Sequence, residues 1–272
     1  MAPSRVTRRG LLRRAAGGCL AAAAILFGTR PGHPGMLNMD GMDDDPHAVA
    51  RRQMVEEQIL RRGVKEARVL RAMRRVPRHL FVPESIRARA YEDGPLPIGE
   101  GQTISQPYIV AFMTEALEVG PDDRVLDVGT GSGYQAAVLA EIVKEVFSIE
   151  ILDRLAADAA RRLADLGYKN VTVRAGDGWF GWPGKAPFDA ILVAAAPEEV
   201  PPALIDQLKP GGRLVIPVGG TGLADAQNLL RITRTAEGTR RELLLPVRFV
   251  PMTGEADRDP GADRDPRPDR NP

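Results

Sequence analysis

Cysteine is nearly absent: the single residue Cys19 excludes an internal disulfide framework. Histidine is almost as scarce, and His33, His47 and His79 together with Cys19 show no metal-ligand spacing. Aromatic residues make up 5% of the chain, seven Phe, four Tyr and two Trp, so there is no aromatic-plus-basic array on which bases could stack. An excess of one charge is also missing. With 37 basic against 36 acidic residues and a formal charge of +1, overall charge gives no argument for nucleic acid or an acidic membrane as partner. No apolar run reaches the roughly 20 residues that a membrane-spanning helix needs, so stable membrane insertion is not expected. What is present is 43% hydrophobic and 27% charged residues over 272 positions, enough for one large α/β domain with appendages.

The appendages are read first. Residues 1–45 form a leader: Thr7-Arg8-Arg9-Gly10-Leu11-Leu12-Arg13 is basic and Ala15–Gly28 is uncharged and mostly apolar. The stretch resembles a twin-arginine export signal. No A-x-A cleavage site follows it, and Cys19 precedes most of the apolar run, the wrong place for a lipoprotein cysteine. An unstructured leader, or an upstream start codon unused in the cell, is the alternative. At the other end, 254–272 is a charged low-complexity tail in which Asp257-Arg258-Asp259-Pro260 recurs as Asp263-Arg264-Asp265-Pro266. Alternating charge with repeated proline cannot bury a core, so disorder is expected there.

Between them, 46–253 reads as one domain. Its first part, 46–120, carries helical periodicity over Pro46–Arg75, broken at Gly63. A Pro-bounded apolar connection, Val76–Pro83, follows, then the glycine- and hydroxyl-rich stretch Leu96–Gln106. Pro107 suits the opening of a helix over Tyr108–Leu117, with Ser105 or Gln106 as N-cap. From 121 to 253 the pattern alternates as a doubly wound sheet does. Strands are expected at Arg124–Val128, Glu145–Ile149, Val171–Arg174, Phe188–Val193 and Arg213–Val218. Helices are expected at Gln135–Val143, Arg154–Leu166 and Pro202–Leu208, with a turn at Pro210-Gly211-Gly212. Asn228–Thr235 and Glu242–Pro251 read as a closing antiparallel pair.

Chemistry concentrates in V-L-D-V-G-T-G-S-G-Y (125–134), an apolar strand running into a glycine loop at a helix N-terminus, where a ligand can lie on bare backbone. A dinucleotide fingerprint, G-x-G-x-x-G, would need glycine at Tyr134. The spacing present, Gly129, Gly131 and Gly133 with Asp127 ahead of them, resembles the S-adenosylmethionine loop of Rossmann-like methyltransferases. An acid beside a ligand carrying an ammonium and a sulfonium is electrostatically sensible. Asp127 either holds glycine N–H groups or attracts that ammonium. Glu150 lies 21 residues after Gly129, the place of an acid that accepts from a ribose, or else is an acid favoured by a helix N-terminus. Asp177 suits an adenine amino group and Gly178 lets backbone approach, with an Asx turn as the plainer alternative. Tyr134 and Trp179 pack either on the ligand or in the core.

Further motifs narrow the acceptor. M-V-E-E-Q-I-L-R-R-G (54–63), V-P-R-H-L-F-V-P (76–83), P-I-G-E-G-Q-T-I-S-Q-P-Y (97–108), G-D-G-W (176–179), P-F-D-A-I-L-V (187–193), L-I-D-Q-L-K-P-G-G-R-L-V-I-P-V-G (204–219) and V-R-F-V-P-M (247–252) run in order from about residue 48 to 253. With the glycine loop they resemble the protein-L-isoaspartate (D-aspartate) O-methyltransferase family. The G-Q-T-I-S-Q-P-Y block is the most specific of them. The resemblance implies a class I, Rossmann-like methyltransferase fold with a mostly parallel sheet and antiparallel C-terminal strands. It implies a monomeric, soluble repair enzyme that uses S-adenosylmethionine and no metal, and acts on isoaspartyl-containing proteins and peptides. Ser105 would be the active-site serine, with Thr103, Ile104 and Gln106 beside it around the acceptor. Cytosolic synthesis of the donor argues for the cytoplasm, against export through the leader. Another acceptor, or a non-catalytic scaffold that binds S-adenosylmethionine, are the competing readings.

Overall fold

A computed structural model describes residues 46–220 and 226–254. The leader and most of the charged tail lie outside the described residues. The domain opens with helix α1, Ala48–Gln53, which continues through a wider turn, Met54–Ile59, and a tighter one, Leu60–Arg62. Gly63 ends it with φ 100, the left-handed conformation expected of a helix-terminating glycine. Helix α2, Ala67–Arg75, starts at Glu66, whose carboxylate accepts from Arg68 N at 3.2 Å. Its Val69, Leu70, Ala72 and Met73 are buried, the spacing of one helical face.

Leu96–Gln106 is more ordered than its composition implies. It folds into a small antiparallel hairpin, β1 (Leu96–Gly99) and β2 (Gln102–Ile104), followed by helix α3, Pro107–Ala116. Gln106, not Ser105, occupies the N-cap of α3, and its side chain makes no capping bond. Instead Gln106 Nε2 donates to Asp93 Oδ1 at 2.7 Å.

The sheet follows with the alternation read from the sequence: β3 (Arg124–Val128), α4 (Tyr134–Ala140), β4 (Glu145–Glu150), α5 (Asp153–Asp165), β5 (Val171–Ala175), β6 (Phe188–Val193), α6 (Pro202–Asp206), β7 (Leu208–Gly219), β8 (Gln227–Thr235) and β9 (Gly238–Val247). Seven strands lie in the order β5-β4-β3-β6-β7-β8-β9, parallel through β7 and antiparallel across β8 and β9. The α/β, doubly wound class is therefore the fold observed. Alternate residues of the apolar strands feed two cores. Val125, Val146, Ala190 and Leu192 join the core that includes the N-terminal helices, whereas Leu126, Val128, Ile191 and Val193 join the one on the other face.

Several boundaries moved, most in the last strands. The Pro210-Gly211-Gly212 turn sits inside β7 as an irregularity: Phe188 pairs with Leu208, then Ala190 with Arg213. The last strand begins at Gly238 rather than Glu242, because the polar run Thr239-Arg240-Arg241 pairs with β8 at an exposed sheet edge. It ends at Val247, since the chain then turns back to bridge Ala196 at Pro251.

Candidate active site

The order of the strands makes β3 the point where the chain reverses direction across the sheet, to β4 and β5 on one side and β6 and β7 on the other. Ligands of such sheets bind at the carboxyl ends of the strands at this switch point. The glycine loop leaves β3 there, with φ of 90 at Gly129, 52 at Gly131 and 86 at Gly133. Gly133 is the N-cap of α4, and a Cβ on it would stand 3.1 Å from Leu163 Cδ1, so both backbone conformation and space favour glycine.

The loop's amides are held by the neighbouring strand. Gly129 N and Thr130 N donate to Ile149 O at 2.9 and 3.2 Å, and Gly131 N donates to Glu150 Oε2 at 2.8 Å. Gly133 N donates to Thr130 O at 2.8 Å. Of the two roles open to Asp127, holding glycine N–H groups is therefore filled by β4. Asp127 is fully buried, and its Oδ2 accepts from Ser148 Oγ at 2.7 Å. Ser148 in turn lies 2.6 Å from Thr130 Oγ1. Among the described residues Asp127 Oδ1 has no hydrogen-bond partner. Burial pushes this carboxyl up to about 7, the Ser148 bond opposes the rise, and the nearby Glu150 charge adds to it. Ser148 and Thr130 were not anticipated; a serine inside the apolar run E-V-F-S-I-E was the available signal.

Glu150 is buried, and its second oxygen accepts from Leu152 N at 3.1 Å. Asp177 Oδ1 accepts from Trp179 N at 2.9 Å, capping the short turn Gly178–Phe180. The Asx-type bond is thus made, and Asp177 still lies with Asp127 and Glu150 at neighbouring strand ends. Gly178 has no room for a side chain, since a Cβ would stand 2.3 Å from Val128 Cγ1. Gly254, read as the start of the tail, packs here as well: a Cβ on it would meet Asp177 Oδ2 at 2.5 Å and Ile151 Cδ1 at 2.7 Å. Trp179 packs in the core on the α6 face, and Tyr134 packs edge-on against Phe81 at 5.4 Å while also lining the cleft described next.

That cleft joins the two motif blocks. Thr103, Ile104 and Ser105 of the hairpin side face Thr130, Ser132 and Tyr134 of the glycine-loop side. Gln106 is not among its lining residues. The hairpin also roofs the loop: Ile98 Cδ1 lies 3.3 Å from the Cβ position of Gly131, and Arg154 Nη1 reaches Glu100 Oε1 at 3.1 Å. Behind Ser105 stands Arg78, wholly buried, donating through Nη2 to Ser105 O at 2.8 Å and through Nε to Ala90 O at 2.7 Å. Its guanidinium lies over the Tyr134 ring at 4.9 Å. The sequence reading placed Arg78 only in a connecting segment.

Residues 49–257 match the family model for protein-L-isoaspartate(D-aspartate) O-methyltransferase, PCMT. The chain belongs to this family. A protein-L-isoaspartate O-methyltransferase of Synechococcus sp. (strain JA-2-3B'a(2-13)) is 58% identical over 212 residues, 76% of this chain and 87% of the relative. One from Gloeobacter violaceus is 54% identical over 206 residues, 76% of this chain and 100% of its own. Among solved structures, a protein-L-isoaspartate O-methyltransferase superposes with TM-score 0.68 at 29% identity, covering 75% of this chain and 67% of the other. A Plasmodium falciparum beta-aspartate methyltransferase (PCMT), in complex with S-adenosyl-L-homocysteine, gives TM-score 0.65 at 26% identity, covering 75% and 98%. Family membership thus accounts for the ordered motif blocks, and the fold brings two of them, 97–108 and 125–135, to one cleft.

Proposed function

We propose that this chain transfers the methyl group of S-adenosylmethionine to the free carboxylate of L-isoaspartyl, and D-aspartyl, residues in damaged proteins, the first step of their repair. The observation that carries the reading is the shared cleft, with the acceptor block on one wall and the glycine loop on the other. The residues present fit the donor. A glycine-lined turn offers bare backbone, the orphaned Asp127 Oδ1 offers a charge for an ammonium, and Glu150 and Asp177 offer acceptors at the next two strand ends. The donor supplies an electrophilic methyl on a sulfonium. Among the described residues no group of three or more His, Cys, Asp or Glu could hold a metal ion.

The residue roles follow from that fit. Asp127 attracts the ammonium, Glu150 accepts from the ribose, and Asp177 with Gly178 receives the adenine. Thr103, Ile104 and Ser105 position the acceptor, and Gln106 supports them through Asp93. An isoaspartyl carboxylate is already a nucleophile at neutral pH, so no strong base is required. As its oxygen bonds to the methyl carbon, the carbon–sulfur bond breaks and both opposite charges vanish. Orientation is then the main task, together with shedding water from the carboxylate without pairing it tightly. The neutral Ser105 hydroxyl suits this better than a directly paired cation, and the hairpin roof excludes water from the loop side. The ester then cyclises to a succinimide without help, and hydrolysis returns part of it to normal aspartate.

The site is assigned to residues 46–253, the part before 121 serving the acceptor and the part after it the donor. Action as a cytoplasmic monomer is part of the proposal, supported by the cytosolic origin of the donor. No helix among the described residues is long and apolar enough to cross a membrane. The decisive assay offers an isoaspartyl peptide beside its normal-aspartyl twin. Methyl ester on the first alone is expected, and equal labelling of both would refute the reading. Mass spectrometry of the mature N-terminus after cell fractionation tests the compartment, where a cleaved leader in an exported fraction would refute the cytoplasm.

A further inference from the structure

Arg78 is a wholly buried cation with no anion beside it among the described residues. Its Nε and Nη2 donate to the carbonyls of Ala90 and Ser105, and the hydroxyl of Tyr134 is its other polar neighbour. The groups that interact with it electrostatically are Tyr134 and Tyr91, neither of them a carboxylate. Burial lowers its pKa from the ordinary value, yet an arginine stays protonated at neutral pH. A charge buried without its counter-ion is costly. Tying two carbonyls together does not call for that expense, because a neutral amide also donates. The charge itself therefore calls for a use.

Its position supplies one. Arg78 holds the peptide of Ser105 and lies over the ring of Tyr134, and both of these residues line the cleft. Asp127 and Glu150 lie at the ends of β3 and β4, beside the glycine loop and outside the cleft's own lining, and as carboxylates they would repel an acidic acceptor. We propose that Arg78 is a positioning residue that supplies the counter-charge for the acceptor carboxylate from one layer behind the wall, through Ser105 and Tyr134. This rests on the methyltransferase reading above. A guanidinium in direct bidentate contact would occupy the carboxylate lone pairs and blunt its attack on the methyl. Set behind the wall, the same charge draws the acceptor in and leaves an oxygen free to react.

The test uses the full chain with Arg78→Gln and Arg78→Lys. Steady-state kinetics with an isoaspartyl peptide are read alongside S-adenosylmethionine affinity by calorimetry. Arg78→Gln is expected to raise KM for the peptide about tenfold or more, leaving kcat within about threefold and donor affinity unchanged. Arg78→Lys is expected to recover most of the KM. An unchanged KM in Arg78→Gln, or a parallel loss of peptide and donor binding that lysine does not rescue, overturns the proposal. A second measurement needs only the wild-type protein: calorimetric binding, with S-adenosylhomocysteine present so that no methyl can be transferred, of the isoaspartyl peptide and of the same peptide with its acceptor carboxylate replaced by a carboxamide. The carboxamide is expected to bind at least tenfold more weakly, and equal binding overturns the counter-charge whatever the variants do. If the wild-type protein methylates no isoaspartyl peptide, the functional reading itself fails and this inference with it. Methylation by wild type with an unaltered KM in Arg78→Gln refutes the role of Arg78 alone.

Discussion

Replacing Asp127 by asparagine should make the unliganded protein more stable and a worse binder of its donor, both in a pH-dependent way. The carboxyl lies at about 7 in the folded chain against an ordinary 3.8. That gap of about 3 pK units corresponds to about 4 kcal/mol set against the folded state once the group is ionised. Between pH 4 and 7 the native protein keeps a proton that the unfolded chain has released, so this group lowers stability steadily as pH rises through that window and no further above it. Asparagine removes the slope. The bond from Ser148 opposes the rise, so it is already inside that figure. The net gain expected at pH 8 is therefore about 4 kcal/mol, shrinking towards zero near pH 4. Donor binding runs the other way. Only the ionised carboxylate attracts an ammonium, so wild-type affinity should rise about tenfold per pH unit below 7 and level off above it. It should then decline as the donor's own amino group, with a pKa of about 7.7–8.0, loses its proton. The variant should bind weakly with no rise between pH 5.5 and 7. Thermal melts of the unliganded proteins from pH 5 to 8, with calorimetric titrations at the same points, measure both effects. A variant less stable than wild type at pH 8, or a wild-type affinity flat from pH 5.5 to 7, would refute the reasoning.

Other substitutions separate the remaining roles. Ser105→Ala should cut turnover at least about tenfold while leaving donor affinity intact, and since Gln106 holds the N-cap, it should cost less stability than the ~1 kcal/mol of a lost cap; a calorimetric titration beside a methyl-ester assay checks this, and unchanged turnover would remove Ser105 from the site. Glu150→Gln should weaken donor binding and also loosen the loop, because the bond from Gly131 N loses its charged acceptor; chemical denaturation should register a loss of about 1–2 kcal/mol. Asp177→Ala should weaken donor affinity with little effect on kcat at saturating donor. Gly254→Val should do the same from the other side, by driving Asp177 and Ile151 out of place; equilibrium binding that matched wild type would show that the end of the domain takes no part.

Most of the sheet was legible because its strands are near-continuous apolar runs bounded by glycine, proline and acids, a pattern that burial on both faces imposes. The hairpin over Leu96–Ile104 was not, since strands of three and four residues around Gly99, Glu100 and Gly101 carry too little alternation to register. The exposed polar start of β9 escaped for a related reason: pairing at an edge asks nothing of side chains. Within the site, residue types at strand ends marked Asp127, Glu150 and Asp177 as neighbours, but no local pattern reveals which acid braces a loop and which keeps a buried oxygen without a hydrogen bond. Arg78 and Gly254 depend wholly on tertiary contact. One approaches Ser105 across 27 residues of sequence, and the other meets Asp177 only after the whole sheet has been laid down.

The amides of the glycine turn are fastened to Ile149 and Glu150 rather than to the strand from which the turn springs. The motif is thus half of a clasp whose other jaw is encoded some twenty residues later. Transplanting 125–134 into another scaffold would carry the glycines without the anchor that shapes them. A designer would have to move β4 as well, in register, for the transplanted turn to keep its curvature.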